Sequence, residues 1–275
     1  NSVGILAQSL FPGGVDASPE SHFKVYDSVE KTKSFLDQGE KIIYEATFFH
    51  DGVIVALDVL VKDAQGWKAY EVKSSTSVSD TYVKDAAIQY YTILNSGIDL
   101  KDISIVYINN QYVREGKLKI DELFTIESVK DRVLEYLPAI PNKVSRLKSV
   151  IEKTSAPDVE IGTHCSKPYV CDFKGTCWKN IPEYSVFNIA NLNADKKFDF
   201  YNKGIVTLDQ IELSESTLSP NQILQVQSEI DGTSYIDQDQ IMKFTSSLRY
   251  PVYYLDFETI GPSIPVFEGS KPYQQ

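Results

Sequence analysis

The stretch that decides the fold is GVIVALDVLVKDAQGWKAYEVKSS, residues 52–75, which reads as two strands joined by a tight turn. Asp, Gln and Gly within residues 62–66 break the apolar run and predict the turn. Strict alternation of side chains places Asp58 and Leu60 on one face of the first strand, and Glu71 and Lys73 on one face of the second. If the strands pair as a hairpin, the two acids and the lysine converge on one side.

A carboxylate inside an apolar strand is costly unless something pairs with it, and this hairpin carries two, Asp58 and Glu71. Two hard oxygen ligands with open positions suit Mg²⁺ or Mn²⁺. Lys73 beside such an ion could orient or deprotonate a water molecule and stabilise charge on a phosphate. The alternative is a hairpin in which Lys73 forms a salt bridge with either acid, and these residues alone leave both interpretations open.

The sequence order Asp, hairpin, Glu-x-Lys resembles the core of the PD-(D/E)XK nucleases, and its flanks resemble their RecB-like branch. That branch has a glutamate before the Asp strand and a glutamine on the helix after the Glu-x-Lys strand. This chain has Glu45 in IIYEATFF and Gln89 in KDAAIQYYTIL. The usual helix motif is Gln-x-x-x-Tyr, whereas position 93 here is Ile, so this element matches in part.

The resemblance implies a metal-dependent nuclease that hydrolyses phosphodiester bonds, with DNA favoured over RNA as the substrate. Asp58, Glu71 and the backbone carbonyl of Val72 would bind one or two Mg²⁺ or Mn²⁺ ions. Lys73 would position the attacking water. Glu45 would be a further ligand or support the ligands, and the amide of Gln89 would orient the lysine or the substrate.

The composition is that of an ordinary globular protein, with 42% hydrophobic and 24% charged residues over 275 positions. No apolar run approaches the roughly 18 residues of a membrane helix, and the N-terminus lacks a basic segment followed by an apolar one. We therefore expect a cytoplasmic protein with no membrane partner. The net charge of −11 counts against a large, non-specific nucleic-acid surface but allows a local basic groove.

Three cysteines follow one another at equal spacing in HCSKPYVCDFKGTCW, as Cys165, Cys171 and Cys177. They are either three reduced buried thiols or three thiolate ligands of a metal centre whose fourth ligand lies elsewhere. RecB-like nucleases with an iron–sulfur cluster use one cysteine before the nuclease core and three after it. The resemblance thus implies a [4Fe–4S] cluster in a complete protein whose first cysteine precedes this chain, with zinc as the second choice.

The aromatic run YPVYYLDFE, Tyr250–Glu258, predicts a strand that ends in two acids on one face, Asp256 and Glu258. It resembles the first motif of DEDD exonucleases, which binds the two catalytic metals on the first strand of an RNase H-like sheet. The alternative is an edge strand with two solvated acids. The later acids of that motif set would lie beyond Gln275, so we expect a truncated domain. Its strand would then pair with the edge of a sheet, either in this chain or in another copy of it.

Taken together, the chain is similar to an uncharacterised bacterial family in which a RecB-like domain with cysteines precedes a DEDD exonuclease-like domain. We expect an α/β fold with a PD-(D/E)XK restriction-endonuclease-like mixed sheet over residues 1–180, a helical connector over 181–247, and the start of the second domain over 248–275. Helices are predicted over Ser79–Ser96 and Ile126–Tyr136. Two other functions stay open: a catalytically inactive nucleic-acid-binding module and a metal-cluster scaffold.

Overall fold

The fold is known from a computed structural model that describes residues 2–214 and 217–275. The chain forms two compact units. The first contains the chain up to Thr154 together with Phe257–Gln275, and the second contains Ser155–Asp256. Across the described residues, none of the helices combines the length and the apolar character that a membrane crossing requires.

A six-stranded mixed sheet forms the centre of the first unit, with the strands in chain order across it. The β1/β2 and β4/β5 pairs are parallel, and the other neighbours are antiparallel. The strands are β1 (Val15–Asp16), β2 (Ile42–His50), β3 (Val53–Asp63), β4 (Gly66–Lys73), β5 (Leu100–Ile108) and β6 (Phe124–Ser128).

Six α-helices belong to the same unit, and the longest of them, Asp80–Asn95, connects the parallel strands β4 and β5. Ser79 begins this helix by accepting a hydrogen bond from the Tyr82 backbone at 3.3 Å, and Gly97 follows its end with a positive φ of 91°. The six are α1 (Ser2–Ala7), α2 (Val25–Asp37), α3 (Asp80–Asn95), α4 (Ile120–Leu123), α5 (Lys130–Tyr136) and α6 (Ile140–Ile151).

Apolar residues cover both faces of the sheet. On β4, Trp67 and Ala69 pack into a cluster with Val83 and Ile93 of α3. The alternate residue Val72 packs into a second cluster, which includes residues of α1 and the loop before α4. The predicted mixed α/β fold, a sheet flanked by helices, is therefore confirmed, and α3 lies against the sheet face that carries the odd-numbered residues of β4.

The alternation of side chains is interrupted in the middle of β2 and β3. Ala46 pairs with Leu57, and Tyr44 pairs with Val59, whereas no pair joins Glu45 to Asp58. Glu45 has a positive φ of 53°, a conformation that side-chain-bearing residues rarely adopt. Both strands exchange faces at this point, so the strict alternation expected from the sequence is wrong here.

This exchange can be read from the first apolar cluster. Leu57 and Leu60 are three positions apart yet belong to the same cluster, whereas an unbroken strand would place them on opposite faces. Ile43 and Ala46 of the neighbouring strand show the same three-residue step. The consequence is a local distortion of the sheet next to Asp58.

Two further details of the first unit differ from the sequence prediction. The turn between β3 and β4 is tighter than predicted, because Asp63 still pairs with Gly66 and only two residues connect them. The predicted helix over Ile126–Tyr136 is wrong in its first part, where β6 pairs with β5 and α5 begins at Lys130. β6 completes an edge of the sheet, so backbone pairing prevails over the helical pattern.

The second unit is helical around a small apolar cluster. Val186, Leu208 and Val226 are fully buried in that cluster. Asn193 caps one helix by accepting a hydrogen bond from the Lys196 backbone at 2.8 Å. The helices are α7 (Lys174–Cys177), α8 (Ala194–Asn202), α9 (Pro220–Asp231) and α10 (Gln238–Ser247). Three of these helices, α8, α9 and α10, lie within residues 181–247, and the division into three functional domains stays a prediction.

The predicted strand Tyr250–Glu258 is not formed, and this segment has no regular secondary structure. Tyr254 is 94% exposed, and Asp256 and Glu258 are exposed as well. A strand requires a neighbour for its backbone hydrogen bonds, and none of the described strands pairs with this segment. Its pairing with another copy of the chain stays a prediction.

Candidate functional site

The carboxylate of Asp58 lies where β3 and β4 stop pairing. The ladder between these strands begins at Asp63 and its last pair is Val59 with Tyr70. One residue further, the Asp58 Oδ2 atom accepts a hydrogen bond from the backbone N–H of Val72 at 2.6 Å. The side chain thus takes the place of a backbone acceptor at the point of divergence and is fixed in position by it.

Glu71 faces α3 and is almost completely buried, with 8% of its surface exposed. Its Oε1 atom lies 2.8 Å from Lys73 Nζ, and its Oε2 atom accepts a hydrogen bond from Gln89 Nε2 at 2.7 Å. Both oxygens therefore have a donor, one of them charged. The strand supplies the lysine two residues away on the same face, and the helix supplies the amide.

Lys73 has a second carboxylate partner, which the sequence analysis did not identify. Its Nζ atom lies 2.6 Å from Asp85 Oδ2, on α3, and 5.4 Å from the centre of the Tyr82 ring. Asp85 and Gln89 are four residues apart and therefore lie on one face of the helix, one turn apart. That spacing is the signal that could have found Asp85.

Burial raises the pKa values of the two strand carboxylates, and the charge of Asp58 adds to the shift of Glu71. Burial raises the pKa of Asp58 to about 6, although the hydrogen bond from Val72 opposes the shift. Burial, followed by repulsion from Asp58, raises the pKa of Glu71 to about 7, even though Lys73 and Gln89 favour its charged form. The charge of Asp58 therefore makes the loss of the Glu71 proton less favourable.

The pKa of Lys73 is raised, whereas a lysine that acts as a general base needs a lowered pKa. Burial lowers the pKa of Lys73, but attraction to Glu71 and Asp85 outweighs burial and raises it above its ordinary value. Lys73 is consequently a fixed ammonium at neutral pH. An ammonium can donate a hydrogen bond to a water molecule and stabilise negative charge, and the role of Lys73 toward water stays a prediction.

Glu45 belongs to the same group of acids. Burial raises its pKa, and repulsion from Asp16 and Glu71 adds to the shift. Its charge also raises the pKa of Asp58. Its left-handed backbone lies at the interruption of the β2/β3 ladder described above. Unusual backbone conformations of this kind cluster at functional sites.

Gln89 is buried at 5% exposure and contacts Glu71, and its predicted role in orienting Lys73 or the substrate stays a prediction. Its Nε2 atom also approaches the carbonyl of Ala56 at 3.4 Å. Its Oε1 atom is buried and, among the described residues, has no hydrogen-bond partner.

The donor atoms fit a hard divalent cation that keeps several of its own waters. Asp58 and Glu71 have carboxylate oxygens, and the backbone carbonyl of Val72 stays the third predicted ligand. In the described part of the chain, His, Cys, Asp and Glu side chains form no group of three or more that could hold one metal ion. The two roles predicted for Glu45, a further ligand or support for the ligands, both stay predictions. Mg²⁺ commonly binds through one or two carboxylates and water.

The three cysteines of the second unit differ in their exposure to solvent. Cys165 is buried, whereas Cys171 and Cys177 are exposed, and all three are free thiols. The backbone N–H of Cys171 donates to the carbonyl of Cys165 at 3.0 Å, which closes the loop between them. The expectation of three buried thiols is thus wrong for two of them. A cluster or zinc at these residues stays a prediction.

The acids of the C-terminal segment, Asp256 and Glu258, are likewise exposed and belong to no metal-binding group of three or more among residues 2–214 and 217–275. The proposed second metal site therefore stays a prediction.

Comparison with known proteins adds one observation. A family described as "Domain of unknown function (DUF2779)" matches residues 253–275, a short stretch at the end of the sequence. No curated protein and no solved structure matches the chain. The match is consistent with the resemblance to an uncharacterised family and is neutral about nuclease activity.

Proposed function

We propose that this chain is a Mg²⁺- or Mn²⁺-dependent nuclease that hydrolyses phosphodiester bonds, with DNA favoured over RNA. The observation that carries the proposal is a buried carboxylate, Glu71, paired with the ammonium of Lys73, beside a second, half-buried carboxylate, Asp58, whose charge raises the pKa of Glu71. Isolated structural salt bridges rarely bring two acids together with raised pKa values in this way, whereas metal-dependent phosphodiesterases require such a pair.

Asp58, Glu71 and the carbonyl of Val72 would hold the cation. When bound, a divalent ion supplies positive charge to the phosphate oxygens and acidifies a water molecule. The raised pKa values of the two acids are consistent with this role, because a nearby positive charge would favour the ionised carboxylates that burial disfavours.

Lys73 would contribute a permanent positive charge next to the reacting phosphate. Attraction to Glu71 and Asp85 fixes its ammonium within hydrogen-bond distance of both. In that position it can orient a water molecule by donating a hydrogen bond and can stabilise the negative charge that develops during in-line attack. Gln89 holds Glu71 from the opposite side, which limits the rotation of that carboxylate.

The proposal is tested by calorimetric titration of Mn²⁺ into the purified chain, together with cleavage assays on labelled single-stranded DNA, double-stranded DNA and RNA. The variants are Asp58→Asn, Glu71→Gln and Lys73→Met. Asparagine keeps an oxygen that can accept from Val72, so Asp58→Asn tests the charge without removing the hydrogen bond. Asp63→Asn is the matched control, because Asp63 pairs with Lys68 at the far end of the same hairpin.

We expect the unaltered chain and Asp63→Asn to bind Mn²⁺ and to cleave at least one substrate. Asp58→Asn and Glu71→Gln should lose metal binding, and all three site variants should cleave at least about a hundredfold more slowly, since several kcal/mol of charge stabilisation are removed. Absence of Mn²⁺ binding by the unaltered chain would overturn the metal centre. Binding without cleavage of any substrate would favour the inactive binding module.

A further inference from the structure

Asp85 is one of two carboxylates that share the ammonium of Lys73. The other, Glu71, is buried, whereas Asp85 is half-exposed. Lys73 Nζ lies 2.8 Å from Glu71 and 2.6 Å from Asp85. The Glu71 side chain is 11% exposed and the Asp85 side chain 47% exposed. The two partners lie on different elements, since Glu71 is on β4 and Asp85 is on α3.

The two contacts of Lys73 have different consequences for a cation at Asp58 and Glu71. The contact with Glu71 occupies an oxygen that a metal ion would use, so the ammonium and the metal compete for it. The contact with Asp85 involves no oxygen of Asp58 or Glu71. Asp58 has its own donor in Val72, and Glu71 has a second donor in Gln89. A lysine that retained only the Asp85 contact would leave Glu71 available and still stay at the site.

We propose that Asp85 is a positioning residue of the candidate centre, which receives the ammonium of Lys73 when a divalent cation binds to Glu71. The inference rests on the proposed function, since it concerns the same metal site. It assigns to α3 two tasks one helical turn apart: Gln89 holds the glutamate, and Asp85 holds the lysine away from it. The cation replaces Lys73 at one carboxylate without expelling it.

The helix also provides a matched control for this role. Asp80, at the start of α3, forms ion pairs with Lys84 at 3.1 Å and Arg132 at 3.5 Å. Like Asp85, it is an exposed aspartate of the same helix paired with a cation, but its partners belong to α3 and α5. Asp80→Asn therefore reports what the loss of a helix ion pair does by itself.

The test is a double-mutant cycle on Mn²⁺ affinity, measured by calorimetric titration for the unaltered chain, Asp85→Asn, Lys73→Met and the double variant, with Asp80→Asn as control. Thermal unfolding of each confirms that it is folded. We expect Asp85→Asn to weaken Mn²⁺ binding roughly threefold to tenfold, because Lys73 then has only Glu71 as an anionic partner. In the Lys73→Met background the same substitution should have no effect, because the competing ammonium is gone.

Each other outcome contradicts the inference in a recognisable way. Unchanged affinity in Asp85→Asn would overturn it and leave the proposed function intact. An equal loss in both backgrounds would show that Asp85 acts through its own charge and not through Lys73. An equal loss of Mn²⁺ affinity in Asp80→Asn would show that any lost ion pair of α3 has this effect. Absence of Mn²⁺ binding by the unaltered chain would overturn the proposed function and this inference together.

Discussion

The carboxylate of Asp58 accepts the backbone N–H of Val72 at 2.6 Å across the point where their two strands separate. One oxygen therefore satisfies the backbone at this point, while the charge of the carboxylate raises the pKa of Glu71. Because a buried N–H without an acceptor is costly, alanine at this position would combine a structural loss with a chemical one. Asparagine is accordingly the informative substitution, and the fold itself places the acid next to its partner.

The raised pKa of Glu71 predicts a pH dependence of stability. The folded chain keeps this proton up to about pH 7, whereas an unfolded glutamate releases it near its ordinary value of 4.5. The contribution of Glu71 to the free energy of unfolding is therefore full below about pH 4.5 and is lost as the pH rises through 7. In metal-free buffer, Glu71→Gln should remove this contribution. The free energy of unfolding should then fall less between pH 4.5 and 7.5, by on the order of 1–3 kcal/mol.

The measurement is urea unfolding of both proteins at several pH values with a chelator present. Asp63→Asn is the control, because Asp63 is an exposed carboxylate whose pKa is lowered by its ion pair with Lys68. This variant should keep the fall in stability around pH 7 that Glu71 causes. Parallel pH profiles for the unaltered chain and Glu71→Gln would contradict the prediction.

The left-handed backbone of Glu45 predicts that glycine is better tolerated there than alanine. Alanine keeps the unfavourable φ of 53°, while glycine adopts it at little cost. We expect Glu45→Gly to exceed Glu45→Ala in the free energy of unfolding by about 1 kcal/mol. Phe49, an exposed position of the same strand without positive φ, supplies the comparison, since glycine should there be the less stable of the two. The same order at both positions would refute the assignment.

The unequal burial of the cysteines predicts unequal reactivity. Cys165 is 4% exposed, whereas Cys171 and Cys177 lie exposed to solvent. In the folded, metal-free chain, a thiol reagent should modify Cys171 and Cys177 rapidly and Cys165 only upon unfolding. Mass spectrometry of the labelled peptides at increasing times separates the three. If loading with iron and sulfide or with zinc protects all three equally, a metal centre is supported, and unequal protection would count against shared ligation.

Local patterns were sufficient to predict the elements that pair or cap within a short stretch of sequence. The hairpin follows from its alternation and turn residues, and α3 follows from Ser79 and Gly97 at its ends. The proximity of Asp58 and Glu71 could be predicted for the same reason, since a hairpin brings together residues that are close in sequence.

The remaining features depend on contacts that alternation does not encode. The positive φ of Glu45 leaves no signature in residue type, so the exchange of faces beside Asp58 was missed. Asp85 became a partner of Lys73 only because α3 packs on that face of β4. The aromatic run Tyr250–Glu258 has the composition of a strand, but strand formation also requires a neighbour.

The last segment of the chain folds onto the unit that contains the candidate site. Arg114 donates to the carbonyl of Val266 at 2.7 Å, and the hydroxyl of Tyr273 donates to the carbonyl of Ser74, next to Lys73. The first unit is thus assembled from two separated parts of the sequence. During synthesis on a ribosome, residues 155–256 emerge before the second part does, so this unit reaches its final form only after the intervening helical unit has left the exit tunnel.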